Sequence, residues 1–129
     1  MVEFYPEGIL INKAENIRAF KSLNSLNEAY LEGRILEARA IICDADHNLI
    51  VDMGCIKGII PREEGALGIK EGKVRDIAVI SRVNRPVSFI ITDFIRTSGG
   101  STMAVLSRSK AQEICMEKYI NNRYNSIIR

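Results

Sequence analysis

The chain has 129 residues, of which 47% are hydrophobic and 26% charged, and its formal net charge is +2. These values exclude a disordered or collagen-like chain and indicate one folded domain with one core. A charge this small does not by itself indicate a nucleic-acid partner. No apolar run approaches the roughly 18 residues of a membrane helix, and the first residues lack a signal-peptide pattern. We therefore expect a cytoplasmic location and no membrane partner.

The first 32 residues are predicted to be helical. Asn12 with Glu15, and Ser25 with Glu28, have the spacing of capping boxes, and Gly33 can end the second helix. Apolar residues recur every three or four positions, as in a helical face that packs on a core. This predicted face consists of Ile17, Phe20, Leu23, Leu26 and Tyr30.

From residue 33 the hydrophobic period changes to two, which predicts strands. A first strand is predicted around residues 36–42, a second at 49–53 and a third at 56–61, with a polar turn at 44–48 between the first two. The segment PREEGALGIKEG that follows has too few apolar positions for a strand and is predicted to be a loop with one helical turn. The residues predicted to point inward are Leu36, Ala38, Ala40, Ile42, Leu49, Val51, Met53 and Ile60.

The second half of the chain is predicted to add further strands and a final helix. Residues 74–83 and 87–95 are rich in β-branched side chains and are separated by Asn-Arg-Pro, so they are predicted to form a hairpin. Another strand is predicted at 102–106. Ser107 or Ser109 can then cap a helix that continues to about Tyr124.

Short, closely spaced strands favour a closed barrel, since a flat sheet would leave long apolar edges exposed. The predicted fold is mainly β with flanking helices, namely a small OB-fold barrel of five to six strands. Its predicted parts are an N-terminal helical segment (1–32) that packs on the barrel, the barrel itself (33–107) and a C-terminal linker helix (108–129).

Four segments occur in the order LEGRILEARA, NLIVDMG, IKGIIPREE and GKVRDIAVISRV. Over about residues 32–95 they resemble the RNA-binding domains of the ribosomal protein S-one family. The segment MAVLSRSKAQEICMEKY is similar to the strand and helix that join successive barrels in that family. The resemblance implies a module of the translation machinery, followed by further barrels of the same chain. Its implied partners are single-stranded RNA, either mRNA or rRNA, and proteins of the small ribosomal subunit.

In that family, aromatic side chains on the second and third strands stack on unpaired bases beside a basic rim. Here Ile50 stands at the aromatic position of the second strand, and Pro61 stands where the family has His. Stacking contributes roughly 1–3 kcal/mol per base, so we expect any RNA binding to be weak and salt-dependent. The candidate RNA-binding residues are Ile50, Lys57, Arg62, Arg82 and Arg85.

Two binding functions stay open at this stage. One is a barrel that binds single-stranded RNA through basic residues. The other is a protein-docking module that attaches an S-one-like protein to the ribosome without contacting RNA. The missing aromatic side chains and the acidic N-terminal helices favour docking, whereas the basic hairpin and the C-terminal helix favour RNA.

The sequence predicts no enzyme, metal or cofactor. Asp44, Asp46 and Asn48 imitate the first ligands of a calcium loop, but Leu49 replaces its glycine and Cys55 its bidentate Glu. The glycines at 65, 68 and 72 match neither a phosphate loop nor a dinucleotide fingerprint.

The cysteines and the only histidine also give no catalytic pattern. His47 lies in the predicted turn and is expected to be exposed. The three cysteines are widely separated and form no CxxC pair, so we expect three reduced and largely buried thiols at Cys43, Cys55 and Cys115.

Overall fold

Five strands close into a barrel in the computed structural model, which describes residues 7, 8, 10–66, 68, 69, 72 and 75–116. Neighbouring strands follow the order β1-β2-β3-β5-β4, and β4 pairs with β1 to close the barrel. Every pair is antiparallel except β3 with β5. The predicted class, a small OB-like barrel with flanking helices, is confirmed. The strands are β1 (Leu36–Cys43), β2 (Leu49–Asp52), β3 (Lys57–Ile60), β4 (Pro86–Arg96) and β5 (Thr102–Ser107).

The inward face of each strand fills the barrel. On β2, Leu49 and Val51 are fully buried while Ile50 between them is only partly buried, so the predicted register of this strand is confirmed. The residues that line the interior include Leu36, Ala38, Ala40, Leu49, Val51, Met53, Ile60, Val87, Phe89, Ile91, Ala104 and Leu106.

Short helices surround the barrel. A 3-10 turn follows β3 at Arg62–Glu64, as predicted. The predicted continuation of the last helix to about Tyr124 lies outside the described residues. No helix in the described part of the chain is both long and apolar enough to cross a membrane. The helices are α1 (Ala14–Ala19), α2 (Leu23–Glu32), α3 (Ile77–Ile80) and α4, described over residues 108–116.

The N-terminal helices have different caps from those predicted. Helix α1 begins after Lys13 without a side-chain cap, and α2 begins after Ser22, whose Oγ accepts a hydrogen bond from the Ser25 backbone N–H at 3.1 Å. Both predicted capping boxes are therefore wrong, because spacing alone does not select among neighbouring polar residues. Gly33 does end α2, in the left-handed conformation with φ +65°.

The predicted apolar face of the N-terminal helices is only partly correct. Leu26 is fully buried, and Phe20 and Tyr30 pack against the core, but Ile17 and Leu23 are about half exposed. A turn separates α1 from α2, so one helical period cannot run through both.

The predicted strand at 74–83 is wrong. Residues 77–80 form α3, in which Val79 N–H and Ile80 N–H donate to the Asp76 carbonyl at 2.9 and 3.0 Å. Val79 is fully buried, and a Cβ on Gly65 would lie only 2.5 Å from its Cγ2. Val79 fills the space beside Gly65, whereas Ile77 and Ile80 are exposed, so the packing of one side chain outweighs the strand preference of the segment. The predicted hairpin also disappears, and residues 86–96 pair with β1 and β5 instead.

Ile42 was predicted to point inward, but its side chain is 55% exposed. The pairing of β1 with β2 shifts between Ala40 and Ile42, since Ala40 lies opposite Val51 and Ile42 lies opposite Ile50. The extra residue is a β-bulge, which moves the following side chain to the other face of the strand.

The cysteines are less buried than predicted. Cys43 and Cys115 are partly buried, whereas Cys55 is exposed in the turn between β2 and β3. This turn begins at Gly54, which has φ +82° and fits a conformation that other residues rarely adopt. The expectation of three largely buried thiols is therefore wrong for Cys55.

A candidate interaction surface on the outer face of the barrel

Four apolar side chains lie side by side across the outer face of the barrel. Ile42 of β1 is opposite Ile50 of β2, Ile50 is opposite Ile59 of β3, and Ile59 is opposite Val105 of β5. Each comes from a different strand and each is at least partly accessible. With strands about 4.8 Å apart, the row spans roughly 14 Å. We call Ile42, Ile50, Ile59 and Val105 the outer band.

A second row lies beside the outer band, nearer the other end of these strands. Arg39, Asp52 and Lys57 follow one another across β1, β2 and β3, and Met103 and Ile95 continue the row across β5 and β4. Arg39, Asp52 and Lys57 are exposed. The outer band therefore has two basic side chains and one carboxylate along one side, followed by Met103 and Ile95, and the exposed Asp93 of β4 lies opposite its last member, Val105.

No aromatic side chain of the described residues lies on this outer face. Phe89 is fully buried inside the barrel, and Phe20, Tyr30 and Phe94 pack against the core. Phe20 contacts Phe89, and Tyr30 contacts Phe94 in an edge-to-face arrangement with ring centroids 5.5 Å apart. The aromatic groups thus stabilise the fold and offer no stacking platform for bases at Ile50.

Two candidate basic residues are free to meet a ligand. Lys57 begins β3 in the second row, and Arg85 lies in the turn before β4; both are exposed. Neither side chain has an ion pair with any other described residue. Arg85 lies close to Arg39, because its backbone carbonyl accepts from the N–H of Ala40 at 3.1 Å.

Arg62 is held by an internal ion pair. Its Nε and Nη2 donate to the Asp76 carboxylate at 2.8 and 2.7 Å. His47 Nδ1 lies 2.5 Å from Asp76 Oδ2, so the predicted exposed turn residue is in fact partly buried against this pair. The hydrogen bond from Arg62 and then that from His47 lower the pKa of Asp76 to about 2. Arg62 is therefore already neutralised within the chain.

Arg82 is held in the same way by Glu7. Arg82 Nη2 donates to the Pro86 carbonyl at 2.6 Å and lies 3.4 Å from Glu7 Oε1. Glu7 also binds Arg108 and the N–H of Ser88. Burial alone would raise the pKa of Glu7, but the hydrogen bond and charge of Arg108 and the other donors outweigh it and lower the pKa. Arg82 thus supports the fold at this position.

Ile50 was the only member of the outer band that the sequence predicted to be a binding residue, and Ile42 was predicted to point inward. The alternation of Ile59 with two buried neighbours, and of Val105 with two buried neighbours, could have indicated two more of its members. Ile42 could not have been found, because the bulge that turns it outward is visible only in the strand pairing.

The described residues form no metal site, and comparison of the sequence with known proteins identifies no family. His, Cys, Asp and Glu side chains do not gather in groups of three or more that could hold a metal ion anywhere in the described part of the chain. Comparison of the sequence with protein-family models gives no match, and comparison with curated proteins gives no significant match.

Proposed function

We propose that this chain is a protein-docking barrel that attaches an S-one-like protein to the small ribosomal subunit through its outer band. The outer band is the observation that carries this proposal, because contiguous exposed apolar side chains rimmed by polar ones mark interaction surfaces. The resemblance of four segments to the S-one family supplies the connection with translation. No aromatic side chain among the described residues lies on this face, which supports docking over base stacking.

The proposed partner is a protein segment with an apolar face and acidic residues along one side. Ile42, Ile50, Ile59 and Val105 would bury the apolar face. Lys57 and Arg39 in the second row would lie against the acidic side and fix the orientation.

Sedimentation with purified bacterial small ribosomal subunits tests the proposal. The wild-type chain is expected to sediment with the subunits, and Ile42→Asp is expected to bind at least about tenfold more weakly. An unpaired carboxylate buried at the contact costs more than the about 1.4 kcal/mol that corresponds to a tenfold change. Because Ile42 is 55% exposed, this variant leaves the core intact.

Leu31→Asp is the matched control. Leu31 is 74% exposed on α2, outside the outer band, so the same chemical change there should leave sedimentation unaltered. The docking proposal fails if the wild-type chain does not sediment, or if Ile42→Asp binds as well as Leu31→Asp.

A second candidate is weak binding of single-stranded RNA, favoured by the exposed side chains of Lys57 and Arg85, which have no ion pair among the described residues. Two phosphate contacts would make the affinity for oligouridylate fall about sevenfold between about 50 and 200 mM salt. Fluorescence anisotropy should show this fall, and Lys57→Ala with Arg85→Ala should abolish it. The control is the double variant Lys13→Ala with Lys21→Ala, which removes two exposed lysines outside the barrel strands. Binding that is unchanged by salt, or by the first pair of substitutions, would rule out this candidate.

A further inference from the structure

Arg108, the first residue of α4, is one of the most buried charged side chains described, with 6% exposed. Its Nε donates to Glu7 Oε2 at 2.9 Å and its Nη2 donates to Glu7 Oε1 at 2.5 Å, which is a two-pronged ion pair. Its Nη1 donates to the backbone carbonyl of Gly65 at 2.8 Å. One side chain therefore joins α4 to the N-terminal segment and to the loop after the 3-10 turn.

The start of α4 is held from a second side by Glu64. Its Oε1 accepts from the hydroxyl of Ser107 at 2.5 Å and from that of Ser109 at 3.0 Å. Ser107 also caps the helix, because its Oγ accepts from the N–H of Lys110 at 3.1 Å. Ser107 is fully buried, so the last residue of β5 and the first turn of α4 form one packed junction.

The N-terminal segment that carries Glu7 is itself fastened to the barrel. Glu37 Oε1 accepts from the backbone N–H groups of Gly8, Leu10 and Ile11, each at 3.0 Å. Glu7 Oε2 accepts from the backbone N–H of Ser88 at 2.7 Å. Because β1 and β4 both hold this segment, the carboxylate that meets Arg108 has a fixed position.

From this geometry we propose that Glu7, Glu64 and Arg108 form a joint that fixes the direction in which α4 leaves the barrel. The N-terminal segment, through its contacts at residues 8, 10 and 11 with Glu37, holds Glu7 against Arg108. When Glu7 is in place, the barrel and α4 move as one body. When Glu7 is withdrawn, Arg108 loses both hydrogen bonds of its ion pair and keeps the one to the Gly65 carbonyl, while Glu64, the Ser107 cap and the buried Ala111 still contact the barrel side of α4.

The joint gives the two ends of the described chain a physical connection. Glu7 and Arg108 are 101 residues apart in sequence and yet share two hydrogen bonds. A ligand that displaced the N-terminal segment from the barrel would therefore release α4. By thermodynamic linkage, a ligand that held α4 against the barrel would favour the bound position of the N-terminal segment by the same free energy. This inference is independent of the proposed function, since the joint does not involve the outer band.

Backbone N–H residual dipolar couplings of the whole chain test the joint. In the wild type, the couplings of residues 108–116 should fit the same alignment tensor as those of the five strands. In Glu7→Gln, which removes the charge but keeps the size, the α4 couplings should no longer fit that tensor. Amide exchange in α4 should also accelerate at least about tenfold more than in β1 to β5, which corresponds to losing one charged hydrogen bond.

Glu63→Gln is the matched control, because Glu63 is the exposed neighbour of Glu64 in the same 3-10 turn. It should leave both readouts unchanged. If Glu7→Gln unfolds the barrel, Glu64→Gln decides, since it weakens only the Ser107 and Ser109 contacts and should loosen α4 alone. The joint is refuted if α4 already tumbles independently in the wild type. It is equally refuted if the couplings of α4 still fit the alignment tensor of the barrel in Glu7→Gln or, where that variant unfolds, in Glu64→Gln.

Discussion

At the scale of single residues, Gly58 shows how closely the barrel interior is packed. It lies in the middle of β3, and a Cβ at this position would lie 2.5 Å from Leu106 Cδ1 and 2.6 Å from Met53 Sδ. Both neighbours are buried with 1% exposure or less. The φ of Gly58 is not positive, so backbone conformation does not explain why glycine occupies this position. The missing side chain does explain it, because it leaves space for Leu106 and Met53.

Replacing Gly58 by Ala should therefore destabilise the protein. Leu106 cannot move without disturbing the rest of the interior, and overpacking of this kind typically lowers the free energy of unfolding by about 1–3 kcal/mol. Urea denaturation measures the change. Gly99→Ala is the control, because Gly99 is exposed and its nearest neighbour, Thr97 Oγ1, lies 3.9 Å away. Equal stability of the two variants would contradict the close packing at Gly58.

Asn16 is another residue whose role depends on a distant partner. Its side-chain amide donates to the Glu37 carbonyl and accepts from the Glu37 N–H, both at 2.8 Å. Asn16 thus takes the place of a neighbouring strand where β2 is too short to continue the sheet beside β1. A helical pattern cannot reveal this role, because a buried Asn on α1 has the wrong polarity for the predicted apolar face.

At the scale of elements, the bulge in β1 decides which isoleucine reaches solvent. Leu49 and Ile42 lie on adjacent strands, yet Leu49 is fully buried and Ile42 is 55% exposed. A continuous alternation from Leu36 would have placed Ile42 inside. The same bulge therefore removes one side chain from the core and adds it to the outer band.

This difference predicts unequal effects of the same substitution. Leu49→Ala should lower the free energy of unfolding by about 2–5 kcal/mol, because it leaves a cavity in the core. Ile42→Ala should change it by no more than about 0.5 kcal/mol, as is usual for surface positions. Chemical denaturation of both variants measures this contrast. Similar losses in the two would mean that β1 runs without the bulge.

At the scale of the whole molecule, Asp76 connects three parts of the chain. It precedes α3 and binds Arg62 of the 3-10 turn and His47 of the turn between β1 and β2. Its pKa falls from an ordinary value of 3.8 to about 2, first through the hydrogen bond from Arg62. The ionised form is therefore preferred in the folded state, and this contribution to stability is present at neutral pH.

The pH dependence of stability should report this contact. Because the pKa of Asp76 is depressed on folding, its contribution is complete above the unfolded value of 3.8 and is lost as the pH falls through about 2. Asp76→Asn should thus melt below the wild type at pH 7, and the two melting temperatures should converge near pH 2. Asp46→Asn, an exposed change in the turn beside His47, should melt like the wild type throughout. A difference that persists unchanged to pH 2 would contradict the assignment.

The sequence predicted the barrel better than it predicted the candidate surface. Alternation placed Leu49, Ile50 and Val51 on the correct faces, because a paired strand with one buried face has a period of two. The basic candidates were harder to predict, since the four of them have the same local sequence pattern whether or not a carboxylate lies beside them in the fold. Arg62 and Arg82 are bound internally, while Lys57 and Arg85 are free among the described residues.

By itself, the sequence determined the class of fold, the register of β2 and the end of α2 at Gly33, because periodicity and turn chemistry act between near neighbours. Only the tertiary structure decided that residues 77–80 form a helix, that Ile42 faces outward and that Glu7 meets Arg108 across 101 residues. These outcomes depend on which side chains share space after the barrel closes. The free energy of such contacts comes from partners that no local pattern identifies.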